Sequence, residues 1–258
     1  MTGRVTLVGG GPGREELLTV AAVRALGAAD VVLYDRLAPH GRLAELAPDA
    51  ELVDVGKQPG HHAMPQGEIE ALLVAHALAG RHAVRLKGGD PYVFGRGGEE
   101  VLACHRAGVP VEVVPGVTSA VAVPGAAGIP LTHRGVSRLF TVVSGHAPLT
   151  DDELRHLAGL GGTVVVLMGV NTLPMLAAGL ARHGMRASTP VAIVERGFRC
   201  DQRTTVADLG GIVTAAGLAG VESPAVIVVG EVVRLAHDGH ADAVQLMERA
   251  AGFAGAAA

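Results

Sequence analysis

The sequence predicts an α/β protein built from two α/β domains with mostly parallel sheets. Three observations carry that expectation. Short runs rich in Val, Leu and Ile alternate with helix-like segments along the chain, as expected of parallel sheets covered on both faces. The alternation forms two consecutive series that meet at Pro115–Gly116, just after a strand-like run. The 258 residues are 49% hydrophobic and 18% charged, too apolar for disorder. That length fits one large domain or two of about 110 to 120 residues, and the Pro-Gly junction favours two: 1–115 and 116–250, with 251–258 a fraying tail.

The elements follow in order. In the first series, β-branched runs predict strands at 5–8, 31–34, 51–55, 82–86 and 111–114. Helical periodicity fits 15–26, 66–79 and 98–107 between them. In the second series, strands are expected at 139–144, 163–168, 191–195, 204–206 and 225–229. Helices there fit 151–157, 173–183 and roughly 241–250. The two series share a pattern but no repeated sequence.

Composition removes several function classes. The formal net charge is −4, so no global basic field draws nucleic acid. Aromatic residues are 2% of the chain, with no Trp, which leaves little for base stacking. Cys104 and Cys200 are too few for a disulfide framework and are not spaced as metal ligands. The 12 histidines include no H-E-x-x-H or comparable pattern, so no metal is expected. No apolar run approaches the ~18 residues that span a bilayer, and no basic stretch leads into an apolar signal region. A cytoplasmic protein is expected, with no membrane and no nucleic-acid partner.

Three glycine-bearing turns carry the functional signal. Val5-Thr-Leu-Val-Gly-Gly-Gly-Pro-Gly13 reads as a strand, a glycine turn and a helix start. As a nicotinamide fingerprint it fails, because Arg14 holds the sixth place counted from Gly9 and Pro12 removes an amide donor. Arg85-Leu-Lys-Gly-Gly-Asp-Pro-Tyr-Val-Phe-Gly-Arg-Gly-Gly-Glu-Glu100 follows a strand and interleaves glycines with Asp90, Arg96 and Glu99. A plain connector has little use for that mixture, and such loops at strand C-termini bind ligands. Val114-Pro-Gly-Val-Thr-Ser119 repeats the logic, its hydroxyls either capping a helix or touching a ligand. Asp35, at another strand end, suits a proton-accepting base, a ribose contact or a helix cap.

With these motifs the chain resembles the tetrapyrrole methylase family over roughly residues 4–233. The likeness also takes in Ala29-Asp-Val-Val-Leu-Tyr-Asp-Arg-Leu37, Val55-Gly-Lys57, Met64-Pro-Gln66 and Gly128-Ile-Pro-Leu-Thr-His-Arg134. Met168-Gly169, Gln202-Arg-Thr204 and Glu222-Ser-Pro-Ala225 complete it. The resemblance implies a homodimer that binds S-adenosylmethionine (SAM) and a tetrapyrrole in the cleft between its two domains. It implies methylation of uroporphyrinogen III at C2 and C7, giving precorrin-2 on the way to sirohaem and cobalamin.

By motif position, the resemblance assigns SAM contacts to Pro12, Gly88, Gly89, Asp90, Val93, Thr118, Ser119, Met168, Gly197 and Ala225. It makes Asp35 the proton acceptor and Lys57 the proton donor. Because the substrate is a polycarboxylate, an acidic chain must gather positive charge locally. Lys57, Arg85, Lys87, Arg96, His133 and Arg134 are the candidates, with Glu99 beside Arg96 helping to position substrate. Arg14 stands where the family usually carries Asp, and Glu195-Arg-Gly-Phe198 departs from the commoner ending. The rival readings are a sister methylase acting on a later corrinoid, a non-catalytic tetrapyrrole or nucleotide carrier, and an NAD enzyme.

Overall fold

The structure, a computed structural model, describes residues 2–56 and 64–236. The chain divides into two compact units, Met1–Ser119 and Ala120–Ala258. Lys57, His61, His62, the helix expected at 241–250 and the tail lie outside the described residues.

In the first unit, β1 (Arg4–Gly9), β2 (Val31–Tyr34), β3 (Glu51–Asp54), β4 (His82–Lys87) and β5 (Val111–Val114) form one sheet in the order β3-β2-β4-β1-β5. Every neighbouring pair is parallel. Parallel neighbours need crossover connections, and α1 (Val20–Gly27), α2 (Leu43–Leu46), α3 (Gln66–Leu78) and α4 (Gly97–Arg106) provide them. Side chains alternate between the two faces of the sheet. Val5, Leu7, Val31, Leu33 and Ala83 pack with Ile69, Leu73 and Ala77 of α3 and Cys104 of α4. Val8, Val32, Val84 and Leu86 pack with Ala22 and Leu26 of α1 and Leu43 of α2. Arg85 and Lys87 continue the face of Ala83, which places two cations beneath α3 and α4.

The helix expected at 15–26 is broken. A single 3-10 turn covers Glu15–Leu17, and α1 begins only at Val20. Thr19 causes the restart: its extended backbone and its hydroxyl, which accepts from the Ala22 amide at 3.1 Å, form the N-cap. Arg14 therefore sits outside any α-helix, extended and exposed, with its side chain against Glu16 at 3.3 Å.

In the second unit, after α5 (Ser119–Ala126), the strands are β6 (Phe140–Ser144), β7 (Thr163–Leu167), β8 (Pro190–Glu195), β9 (Arg203–Asp208) and β10 (Ala225–Val229). Their order is β6-β7-β10-β8-β9. Helices α6 (Asp151–Leu160), α7 (Leu173–Arg182) and α8 (Ile212–Ala219) contribute Leu154, Leu157, Leu176, Leu180 and Ile212 to a core with Val164, Val166, Ile193 and Ile227. Only β6 and β7 pair in parallel; β10 runs antiparallel to β7 and β8, and β9 antiparallel to β8. The sheet is thus mixed. The connection 196–202 is too short for a crossover, so it can only make a hairpin.

Helix α6 begins with a capping box: the Thr150 hydroxyl accepts from the Glu153 amide at 3.3 Å, and Glu153 Oε2 accepts from the Thr150 amide at 2.7 Å. Among the described residues, no helix is long and apolar enough to cross a membrane.

Candidate active site

Because the first sheet is wholly parallel, the segments after β1, β2, β4 and β5 emerge at one edge. Those segments hold Pro12, Asp35, Gly88, Gly89, Asp90, Val93, Thr118 and Ser119. Three backbones meet there at distances only glycine permits. A Cβ on Gly9 would lie 2.3 Å from the Gly116 nitrogen, and one on Gly116 would lie 2.3 Å from the Gly89 carbonyl oxygen. The Gly11 amide donates to the Gly89 carbonyl at 3.1 Å, and the Gly89 amide donates to the Gly11 carbonyl at 2.7 Å. Asp90 ties the same loops together: Oδ1 accepts from the Tyr92 amide at 2.8 Å and Oδ2 from the Gly116 amide at 3.1 Å. Gly88 lies against Leu37, where a Cβ would come within 2.8 Å, so the loop of Asp35 joins the group.

Beneath that edge lies a charged cluster. Glu100 of α4 is fully buried, and its Oε1 accepts from Lys87 Nζ at 2.9 Å, Arg85 Nε at 3.2 Å and Gln66 Nε2 at 3.3 Å. Its Oε2 has no partner among the described residues. Arg85 also reaches Asp35 Oδ2 through Nη2 at 3.3 Å. The expectation that Arg85 and Lys87 receive substrate carboxylates is corrected: they are 3% and 4% exposed, and their charges are matched by Glu100 and Asp35. Burial pushes the Lys87 ammonium below the usual lysine range; Arg85 adds to this, while Glu100 and Asp35 oppose it.

Sequence reasoning missed Glu100 and Gln66. The signal was present in two cations on one face of a buried strand, which demand a buried anion. Glu100 also stands four residues before the buried Cys104, on the same side of α4.

Burial, aided by the Glu100 charge, pushes the Cys104 thiol up to about 11 from a usual value of 9.0. A folded-state value above the unfolded one means that stability is intact below about pH 9 and falls as pH rises towards 11. Cys104→Ala should flatten that alkaline decline in denaturation midpoints, whatever it costs at neutral pH. A thiol reagent at pH 8 should label Cys200, which is exposed, and reach Cys104 only in denaturant. Equal native labelling of both would contradict the burial of Cys104.

In the second unit the ends of β6, β7 and β8 and the starts of β9 and β10 share one edge of their sheet. Met168, Gly197 and Ala225 all fall there. Met168 follows β7 with a left-handed backbone, φ 58, and is half exposed. Gly197 lies between Arg196 and Phe198, both left-handed, and a Cβ on it would meet Val123 at 2.7 Å.

Glu195, fully buried, holds this edge together. Arg203 donates to it twice, at 2.7 and 2.8 Å, and the Glu222 amide donates at 3.0 Å. Burial alone would raise the Glu195 carboxyl. The Arg203 hydrogen bonds, the Glu222 amide and the Arg203 and Arg196 charges outweigh it and hold the group below the usual carboxylate range. Gln202 accepts from the Phe198 amide at 2.8 Å and donates to the Ala126 carbonyl at 3.3 Å. The motifs around Gln202 and Glu222 thus build the loop that carries Gly197.

His133 and Arg134 do not join these groups. The stretch from Leu131 to Ser137 packs on Thr163, whose hydroxyl donates to the Leu131 carbonyl at 2.8 Å and to Ser137 Oγ at 3.1 Å. Thr163 starts β7, so His133 and Arg134 belong to the opposite edge of that sheet from Met168. The His133 Nδ1 is buried without a partner among the described residues, and Arg134 is exposed. Arg96 and Glu99 are each about half exposed and pair with one another at 2.7 Å at the start of α4. Among the described residues, no group of three or more His, Cys, Asp or Glu is placed to hold a metal ion.

A sequence profile described as Tetrapyrrole (Corrin/Porphyrin) Methylases matches residues 4–213. The chain belongs to the tetrapyrrole methylase family. Within that family it is 49% identical, over 240 residues, to the S-adenosyl-L-methionine-dependent uroporphyrinogen III methyltransferase of Methanosarcina barkeri, covering 92% of this chain and 94% of that one. It is 48% identical over 238 residues to the uroporphyrinogen-III C-methyltransferase of Methanocaldococcus jannaschii, covering 91% and 98%. The uroporphyrin-III C-methyl transferase of Thermus thermophilus, solved with S-adenyl homocysteine, superposes with a TM-score of 0.76 at 48% identity, covering 90% of this chain and all of the other.

Proposed function

We propose that this methylase transfers methyl groups from SAM to uroporphyrinogen III, at C2 and C7, giving precorrin-2. The observation that carries the reading is the likeness, over 90% of this chain, to a transferase solved with S-adenyl homocysteine. The residues present fit such a ligand. Gly9 and Gly116 let the loops pack backbone to backbone at the strand ends, and Gly89, whose Cβ position has no atom nearer than 3.8 Å, leaves backbone against which a ligand can lie closely.

The resemblance supports SAM contacts at Pro12, Gly88, Gly89, Asp90, Val93, Thr118, Ser119, Met168, Gly197 and Ala225. Asp90 acts by fixing the loops, since both its oxygens accept from their amides. When bound, SAM supplies a methyl already activated by its sulfonium. The task left to the protein is alignment and proton removal. Asp35 accepts the proton, Lys57 donates one, and Arg96 with Glu99 positions the substrate. The resemblance further supports a cytoplasmic homodimer.

The test is incubation with SAM and uroporphyrinogen III, with methyl groups counted by mass spectrometry. Two added methyls over many turnovers are expected. Product formed only from methylated precorrins would assign the chain to a later corrinoid step, and the absence of turnover would make it a carrier.

Gly89→Leu should abolish SAM binding. Its backbone φ of +68 also strains any side chain there, so thermal stability should fall while the fold persists. Calorimetric titration checks this, and an unchanged SAM affinity in a folded variant would remove Gly89 from the binding surface.

A further inference from the structure

We infer that Arg85 is a positioning residue: held from behind by Glu100, its guanidinium fixes the Asp35 carboxylate in the orientation that accepts a proton. This rests on Asp35 being the proton acceptor, as proposed above.

The argument begins with the guanidinium. Its Nη1 donates to the Leu33 carbonyl at 3.3 Å and the Leu86 carbonyl at 3.0 Å, its Nε to Glu100 at 3.2 Å and its Nη2 to Asp35 at 3.3 Å. Every nitrogen of a planar group is engaged, two of the contacts are to strand backbone, and the side chain is 4% exposed. Such a fork cannot rotate without losing several bonds together.

Asp35 is fixed from the other side. Its Oδ1 accepts from the Leu37 and Ala38 amides, each at 3.1 Å. A carboxylate offers about four acceptor positions. Three are filled among the described residues, which leaves one on a side chain that is still 29% exposed. The open position is on Oδ2, the oxygen Arg85 holds.

A structural role alone explains this arrangement poorly. Buried ion pairs are often no more stabilising than apolar residues of the same volume. Here two cations stand on a sheet face otherwise filled by Val, Leu and Ala, with a fully buried glutamate of α4 against them. Among the described residues, Asp35 is the partly exposed carboxylate to which the chain Lys87–Glu100–Arg85 leads. The cluster is suited to holding that carboxylate still, and a misplacement of about 1 Å in a reacting group can cost about 10²-fold in rate.

The test is a kinetic double-mutant cycle between Arg85 and Asp35. Arg85→Met keeps Glu100 paired with Lys87, so no buried anion is stranded. It should lower kcat about 10- to 100-fold, with the KM for tetrapyrrole and the Kd for SAM little changed. Arg85→Lys keeps the charge and loses the fork, and its kcat should fall between those of wild type and Arg85→Met. In an Asp35→Asn background, adding Arg85→Met should cost almost nothing further, because the group it acts through is already gone. Independent, multiplying losses would overturn the inference, as would a raised KM or Kd at unchanged kcat. If Arg85→Met fails to fold, the same cycle with Arg85→Lys decides. Near-normal kcat in Asp35→Asn alone is a separate outcome: it removes the proton-acceptor reading, and the inference falls with it.

Discussion

Asp35→Asn should lower kcat by about 10²-fold or more, the usual scale for a lost acid–base group, with little change in SAM affinity. The substitution conserves size and removes the charge. An Asn oxygen can still accept from the Leu37 and Ala38 amides, so the turn after β2 can persist. Its NH2 then faces Arg85 Nη2, donor against donor, where the carboxylate oxygen stood at 3.3 Å. Both the base and its partner are lost in one step.

Asp35→Glu separates these effects. It restores a base, but the longer side chain cannot cap its own turn and hold the same position. Its kcat should be intermediate. Single-turnover methyl transfer together with SAM calorimetry reads both quantities. A near-normal kcat for Asp35→Asn would leave Asp35 as the turn cap that its sequence position equally allowed.

Strand positions were legible where burial on both faces forces continuous apolar runs: 31–34 and 225–229 have the expected bounds, as does the edge strand 111–114, where Val alternates about an exposed Glu112. The glycine turns were legible for a related reason, since close backbone approach can only be met by glycine. The break at Thr19 was not, because 15–26 carries helical periodicity throughout and a cap within it is a local competition. Helix α8, Ile212–Ala219, escaped notice because its small apolar residues show no polar face. Strand direction in the second unit depends on connection length, which a run of apolar residues does not record.

Charge was the hardest feature to place. Arg85, Lys87, Arg96 and Arg134 look equivalent in sequence, yet the first two are buried and the last two exposed. Strand alternation decides the matter: 85 and 87 fall on the face that α3 and α4 cover. The same logic applies to Glu195, the last residue of a fully buried strand, whose partner Arg203 begins the next one. Strand ends at the candidate site's edge carry a fully buried carboxylate, or pack against one, in both units, each paired with an arginine, and those pairs shape the loops.

Glu100→Gln should destabilise the fold by about 3–5 kcal/mol at neutral pH, the scale for breaking a buried pair by removing one partner. Glu100 Oε1 receives three donors, two of them cationic, and no described group takes its place. The neutral amide leaves Lys87 and Arg85 with Asp35 as their only counter-charge in the cluster. The variant should then recover stability as pH rises. Lys87 already sits below its usual range, chiefly through burial, and loses an opposing attraction when Glu100 is neutral. Between its folded and unfolded values the unfolded state binds more protons, so stability increases with pH through that window.

Denaturant melts at several alkaline pH values should therefore show the gap between Glu100→Gln and wild type narrowing. The double variant Lys87→Met, Glu100→Met removes one charge of each sign and leaves Arg85 with Asp35. It should be more stable than Glu100→Gln alone although it changes two residues. A loss under about 1 kcal/mol for Glu100→Gln, well below the scale for an uncompensated buried charge, would show that the cluster does not depend on its only fully buried anion. So would a double variant less stable than the single one.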